Sequence, residues 1–281
     1  MKIVVATAAV TLAALILAEP AAAKPDRNEI EIRDAVARVV VIVEDRADVA
    51  VEIEQGASGL PPIRVQREGG GIEIDGGLAR RVGGLSLGDR LRNCRAGPDD
   101  ARQPGVGSSV EVGDLGRINL TDAPLIVIRT PPAVRVSAYG AVFGAVGRGA
   151  SSISLGNGGC GTWTVANTTG AMDLSVGGSG AIRAGTSQTL DASVGGSGNV
   201  TVARVEGPTE IAIGGSGDVA VRAGSASDLS ISIGGSGDVD FGGVAGDVSV
   251  SIAGSGDVRI ARATGSVSRT VVGSGDIQIG R

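Results

Sequence analysis

The side chains with the strongest claim to chemistry in this 281-residue chain are aspartates that recur behind one short motif. Asp218, Asp238, Asp257 and Asp276 each follow a Gly-Ser-Gly triplet, and Asn199 holds the same place one period earlier. If successive repeats stack, these carboxylates form a column with neighbours ~4.8 Å apart, repelling by about 1 kcal/mol per pair in water. A cation such as calcium would relieve that repulsion. The calcium-binding GGxGxD nonapeptides, however, place the Asp one residue later and repeat every ~9 residues. Aspartate behind a tight turn more often accepts backbone hydrogen bonds from its own turn. The pattern therefore predicts no metal site, with a calcium-binding repeat protein as an alternative.

Other chemistries meet firmer obstacles. The chain contains no histidine, which removes Ser-His-Asp and Cys-His catalysis and histidine-ligated metals. Gly156-x-Gly158-x-x-Gly161 matches the dinucleotide fingerprint, but that motif must open a helix, and Thr162-Trp163-Thr164-Val165 reads as strand. No cofactor is expected. No carboxylate pair has a spacing that points to acid–base work. Sugar-active sites also use aromatic platforms, whereas Tyr139, Phe143, Trp163 and Phe241 are scattered. Phe241 alternates inward, and Trp163 and Phe143 read as core fill near the start of the stack. No catalytic residue is assigned, and a polysaccharide-active β-helix remains the enzymatic alternative. The net charge of −5, without a basic patch, argues against nucleic-acid binding.

The elements that carry these residues follow from a repeat. GGSG begins at Gly177, Gly195, Gly214 and Gly234, continuing as AGSG at Ala253 and VGSG at Val272. Successive starts are 18, 19, 20, 19 and 19 residues apart. GGCG at Gly158 and SAYG at Ser137 extend the series upstream. Aliphatic residues alternate on both sides of each motif, as in Leu229/Ile231/Ile233 before Gly234 and Val239/Phe241 after Gly237. A period of two means strands with one buried face. The outward positions between them are small and polar: Ser175, Ser193, Ser230, Ser232, Ser249, Ser251 and Ser268. The turn glycines Gly178, Gly180, Gly196, Gly198, Gly215, Gly217, Gly235, Gly237, Gly254, Gly256, Gly273 and Gly275 are expected to make corners with positive φ. The predicted fold is all-β: a parallel β-helix of about eight ~19-residue coils, in which equivalent residues lie over one another. An antiparallel sandwich fits the near-constant repeat length poorly. Arg269 falls at an inward position of the last coil and is read as part of a C-terminal cap, because a charge there can still reach solvent.

The chain divides into residues 1–23, 24–130 and 131–281. Lys2, the apolar run Ile3–Ala18 and Ala21-Ala22-Ala23 have the order of a signal peptide cleaved after Ala23. Export is expected, to the periplasm or the cell surface, with no membrane span after cleavage. Residues 24–130 lack the repeat yet read as β: Ile30–Ile32, Arg38–Val43, Val49–Ile53, Ile63–Gln66, Ile72–Ile74, Val110–Val112 and Leu125–Arg129. They are expected to cap the rod's N-terminal end. Residues 83–107, with Pro98 and Pro104, read as a long exposed loop. In an exported chain the two cysteines, Cys94 and Cys160, are expected to form a disulfide tying that loop to the first repeats.

An exported chain, a lead-in ending in VIRTPPAVRVSAYGAVFGAVG and serial IGGSGDV, IAGSGDV and VGSGDI units together resemble a known bacterial family. It is the GIN domain, or auto-transporter adhesin head domain, a domain of unknown function. The resemblance spans roughly residues 35–280. It implies a β-helical surface or periplasmic domain with an adhesive role, and it offers no catalytic residues to transfer. No translocator barrel follows the last coil before Arg281, so this chain is not expected to be an autotransporter by itself. The reading reached is an exported, non-enzymatic structural or adhesive module. Its expected partners are envelope or surface proteins or glycans.

Overall fold

The computed structural model describes residues 28–280 except 69, 83–84, 90 and 99–102. The expected signal peptide and its cleavage site lie outside the described residues.

Alternating aliphatic side chains fold the repeats into two columns of parallel strands. The first column climbs through Ser152–Asn157, Ala171–Val176, Thr189–Val194 and Thr209–Ile213, then Ser225–Ile233 and onward to Val267–Gly273. The second climbs through Thr162–Val165, Ala181–Ser187, Asn199–Val205 and Val219–Val221 to Ile277–Ile279. Register is like on like: Ser175 faces Ser193, Ile211 faces Ile231, and Val239 faces Val258. The glycine motif joins the two columns within each coil, and a shorter third side closes it, with Thr186 over Arg204 and Ser225 over Val244. The result is a β-solenoid of about eight coils, as the period predicts. Every pairing among the repeats is parallel, which disposes of the sandwich.

One dry interior runs the length of the rod, from Ile30 through Trp163 and Phe241 to Ile260. At ~25 cal/mol per Å² of apolar surface removed from water, this stacked aliphatic column is the main source of stability. A satellite cluster lies outside it, where Phe143 and Ala141 meet Val110, Val112, Ile118 and Leu120. Phe143 is thus buried in that side cluster and Trp163 in the solenoid interior.

The first half is more closely woven into the rod than its composition suggests. Glu29–Val43 is itself a rung, lying parallel beneath Ala133–Val146 along both columns. Its corner is turned by Asp34 at φ 48°, a left-handed position that elsewhere favours glycine. Beneath it, Gly71–Asp75 and Leu125–Thr130 supply a further parallel rung. The antiparallel strands Arg64–Glu68 and Ala50–Glu54 then close that end. The 83–107 region is not the plain loop expected. Leu85–Asp89 pairs with Ala79–Val82, and Leu91–Arg95 joins a small sheet with Ser109–Val112 and Gly116–Asn119. Cys94 and Cys160 are joined in a disulfide, Cα to Cα 6.2 Å, which pins that sheet to the corner of the second repeat coil.

Candidate functional site

Three surface features are built by the repeat: the glycine corner, an aspartate ladder beside it and an acidic groove on the opposite edge of the first column. Each arises because one residue per coil lands in the same place.

The corner shows why glycine recurs. A Cβ on Gly196, Gly215, Gly235 or Gly254 would fall against the carbonyl oxygen of the matching glycine one coil below, inside the 3.0 Å floor of real Cβ contacts. The fourth residue of the motif, at Gly198, Gly217, Gly237 and Gly256, meets the same obstacle. The first residue does not: around Gly195 and Gly214 nothing lies within 4 Å. Ala253 and Val272 stand at that open position in the last two coils. The expected reason, positive φ, applies to only one of the twelve turn glycines, Gly273 at 139°. Close approach of consecutive backbones is the cause at the others.

The aspartates after the motif form a ladder across coils. Asn199 accepts a hydrogen bond from the Asp218 N–H at 2.9 Å, and Asp218 from Asp238 N–H at 2.9 Å. Asp238 then serves Asp257 at 2.7 Å, and Asp257 serves Asp276 at 2.9 Å. The sequence pointed to bonding within each turn; the acceptor instead reaches the turn above. One coil lower, Asn199 N–H reaches the carbonyl of Gly180 directly. Above it the side chain takes over that duty. A hydrogen bond to a charged acceptor contributes roughly 1.5–3 kcal/mol, against about 1 kcal/mol of repulsion between neighbouring carboxylates. The ladder is therefore self-sufficient.

The third feature was not singled out in the sequence. Asp173, Asp191 and Glu210 are register partners in successive coils. Asp228 and Asp247 form a second pair two residues toward the N-terminus of the same strands. All five line a shallow groove of about 560 Å³ on the first column. Asp191 is largely exposed, yet partial desolvation at the groove wall, then the charges of Asp173 and Glu210, hold its carboxyl above its usual pKa. Asp247 goes the other way: hydrogen bonds from the Ser266 hydroxyl and backbone N–H, both 2.7 Å, pull it below. A period of 18 or 19 residues links Asp173 to Asp191 and Asp191 to Glu210, the same period as the glycine motif. That spacing was the available signal.

Among the described residues, no group of three or more His, Cys, Asp or Glu side chains is arranged to hold a metal ion. No helix is long and apolar enough to cross a membrane. Residues 187–280 match the family model described as "Putative auto-transporter adhesin, head GIN domain". The match is narrower than the resemblance from residue 35 onward. It takes in the coils whose motifs are GGSG, AGSG or VGSG from Gly195 on and leaves out the GGSG corner at Gly177 as well as the degenerate corners GGCG and SAYG. No curated protein and no solved structure gives a match. The GIN-matched coils contain the whole aspartate ladder and, with Asp191, Glu210, Asp228 and Asp247, most of the acidic groove.

Proposed function

We propose that the chain is an exported, non-enzymatic adhesive module of the cell surface or periplasm, binding envelope or surface proteins or glycans through the sides of its rod. The observation that carries this reading is the adhesin-head match over residues 187–280, which falls wholly within the stacked coils of the solenoid. A stacked parallel solenoid offers long, stiff faces that need no moving parts, which suits recognition more than turnover. The ordered ladder favours a scaffolding use of Asp218, Asp238, Asp257 and Asp276, since each already serves a backbone N–H or stands at the top of the series. Residues 24–130 serve in this reading as the β-rich capping region of the residue 131–281 repeat β-helix, joined to it by the rung Glu29–Val43, which pairs with strands on both sides of that boundary.

The test is capture of partners from the producing cell's envelope with the immobilised protein, alongside adhesion of a deletion strain. Specific capture and reduced adhesion are expected. Adhesion equal to the parent strain together with no captured partner would remove the proposal, and so would turnover of a polysaccharide in a carbohydrate panel.

A further inference from the structure

The last coil leaves the solenoid interior open. Its inward residues Val267 and Val271 are 41% and 42% exposed, whereas Val248 and Ile252 directly beneath them are 3% and 1%. Ile277 and Ile279 are only partly buried above the fully covered Val258 and Ile260. The main chain of this coil is as unpaired as its core. In the coils below, the N–H that opens each second-column strand reaches the aspartate carbonyl of the coil above: Val219 to Asp238, Val239 to Asp257 and Val258 to Asp276, at 2.9–3.0 Å. Ile277 holds the same place, with no coil above it among the described residues. Asp276, the last carboxylate of the ladder, accepts the Gln278 side-chain amide at 3.0 Å where a further coil would offer its N–H. Exposed inward aliphatics beside unpaired main-chain groups are the conditions under which a sheet edge takes up another strand.

Arg269 decides which strand fits. It stands in register with the buried Val250, is exposed, and makes no hydrogen bond or ion pair among the described residues. At the opposite end of the rod, the outer strand Arg64–Glu68 sets Arg67 in register with the buried Ile72. Stacking two rods by any combination of ends therefore brings two inward arginines to one junction, which argues against a second copy as the occupant. A purely aliphatic strand would bury the Arg269 guanidinium unpaired, at a cost. A carboxylate placed over it accepts two parallel N–H bonds from the guanidinium. Aliphatic residues two places to either side of that carboxylate then cover Val267 and Val271, because side chains alternate along a strand.

We propose that the open edge formed by Val267–Gly273 and Ile277–Ile279 takes up, by strand addition, an extended segment of a partner protein that carries Asp or Glu over Arg269 and aliphatic residues two places to either side. The inference adds an end surface to the sides of the rod invoked above.

The experiment is fluorescence anisotropy of two labelled peptides, each titrated with the purified protein. One copies the seven residues Val267–Gly273 with glutamate at the place of Arg269, as Val-Ser-Glu-Thr-Val-Val-Gly, and the other keeps the arginine. Saturable binding of the glutamate peptide, about tenfold tighter than that of the arginine peptide, is expected, and the order should reverse on Arg269→Glu. Arg222→Glu makes the same charge change at an exposed site away from the edge and should leave the order as in the parent. Thermal unfolding confirms that both variants are folded. Equal binding of the two peptides, no saturable binding of either, or the same reversal with Arg222→Glu would overturn the proposal. Tighter binding of the arginine peptide, which is the chain's own edge strand, would overturn it in favour of self-stacking. A glutamate peptide that binds as expected, together with a deletion strain that adheres like its parent, would sink the adhesive reading and leave the edge standing.

Discussion

Replacing Gly235 by alanine should destabilise the protein, while the same change at its neighbour Gly234 should not. A Cβ on Gly235 would lie against the Gly215 carbonyl oxygen, closer than the 3.0 Å floor, whereas on Gly234 the nearest atom, the Ile213 carbonyl oxygen, is 3.8 Å away. The Gly215 oxygen is not free to retreat, because it accepts the Ser236 N–H at 3.0 Å. Forcing the coils apart is an overpacking defect of about 1–3 kcal/mol. Gly234→Ala removes only unfolded-chain freedom and should be neutral or stabilising by up to about 1 kcal/mol. For a chain of this size each kcal/mol moves Tm by roughly 2–4 °C, so Gly235→Ala should melt about 2–12 °C below the parent. Calorimetry and urea denaturation on both variants provide the assay. Equal melting of the two, or a harmless Gly235→Ala, would refute the claim that coil-to-coil approach dictates glycine here.

Three further outcomes follow from the same geometry. Asp238→Ala should cost about 0.5–1.5 kcal/mol by removing the acceptor of the exposed Asp257 N–H, while Asp238→Asn keeps an acceptor, as Asn199 does, and should lose less; urea denaturation separates them. Arg269 pairs in register with the inward Val250 yet is exposed, in a terminal strand whose Val267 and Val271 are 41% and 42% exposed. Arg269→Ile should make that uncovered edge apolar and raise self-association, read by sedimentation velocity; a sedimentation profile identical to the parent's would contradict its role as a cap. Because the folded pKa of Asp191 is raised, its ionised form weakens the fold at neutral pH, and the penalty disappears as pH falls through that raised value. Asp191→Asn should therefore melt higher than the parent at pH 7, with the difference shrinking on acidification; a gain that persists at low pH would count against it.

The solenoid was legible because its information is repeated. Alternation in Leu229/Ile231/Ile233 and a constant interval between corners point to the same stacked rungs. The rung Glu29–Val43 was not legible as one, since its corner lacks the glycine motif and uses Asp34, and its partners lie far along the chain. The strand Leu91–Arg95 is hidden for another reason. Its Arg92, Asn93 and Arg95 mask the strand pattern, and it is held by local pairing and the disulfide from Cys94. At the groove, the acidic wall changes position by two residues between Glu210 and Asp228. A column-by-column reading therefore sees two short runs where the folded surface has one band. The aspartate ladder was visible as a column, but which N–H each carboxylate serves depends on the height of the neighbouring coil, which no residue spacing encodes.

Pairs of spin labels on outward positions of the first column offer the most direct measurement. Ser137, Ser175 and Ser251 are linked by successive register pairs in that column, and at ~4.8 Å per coil the Ser175–Ser251 and Ser137–Ser251 pairs should lie roughly 19 and 29 Å apart. Distances that grow in that proportion are predicted for one parallel stack. Equal distances for the two pairs, or a broad unstructured distribution, would contradict it.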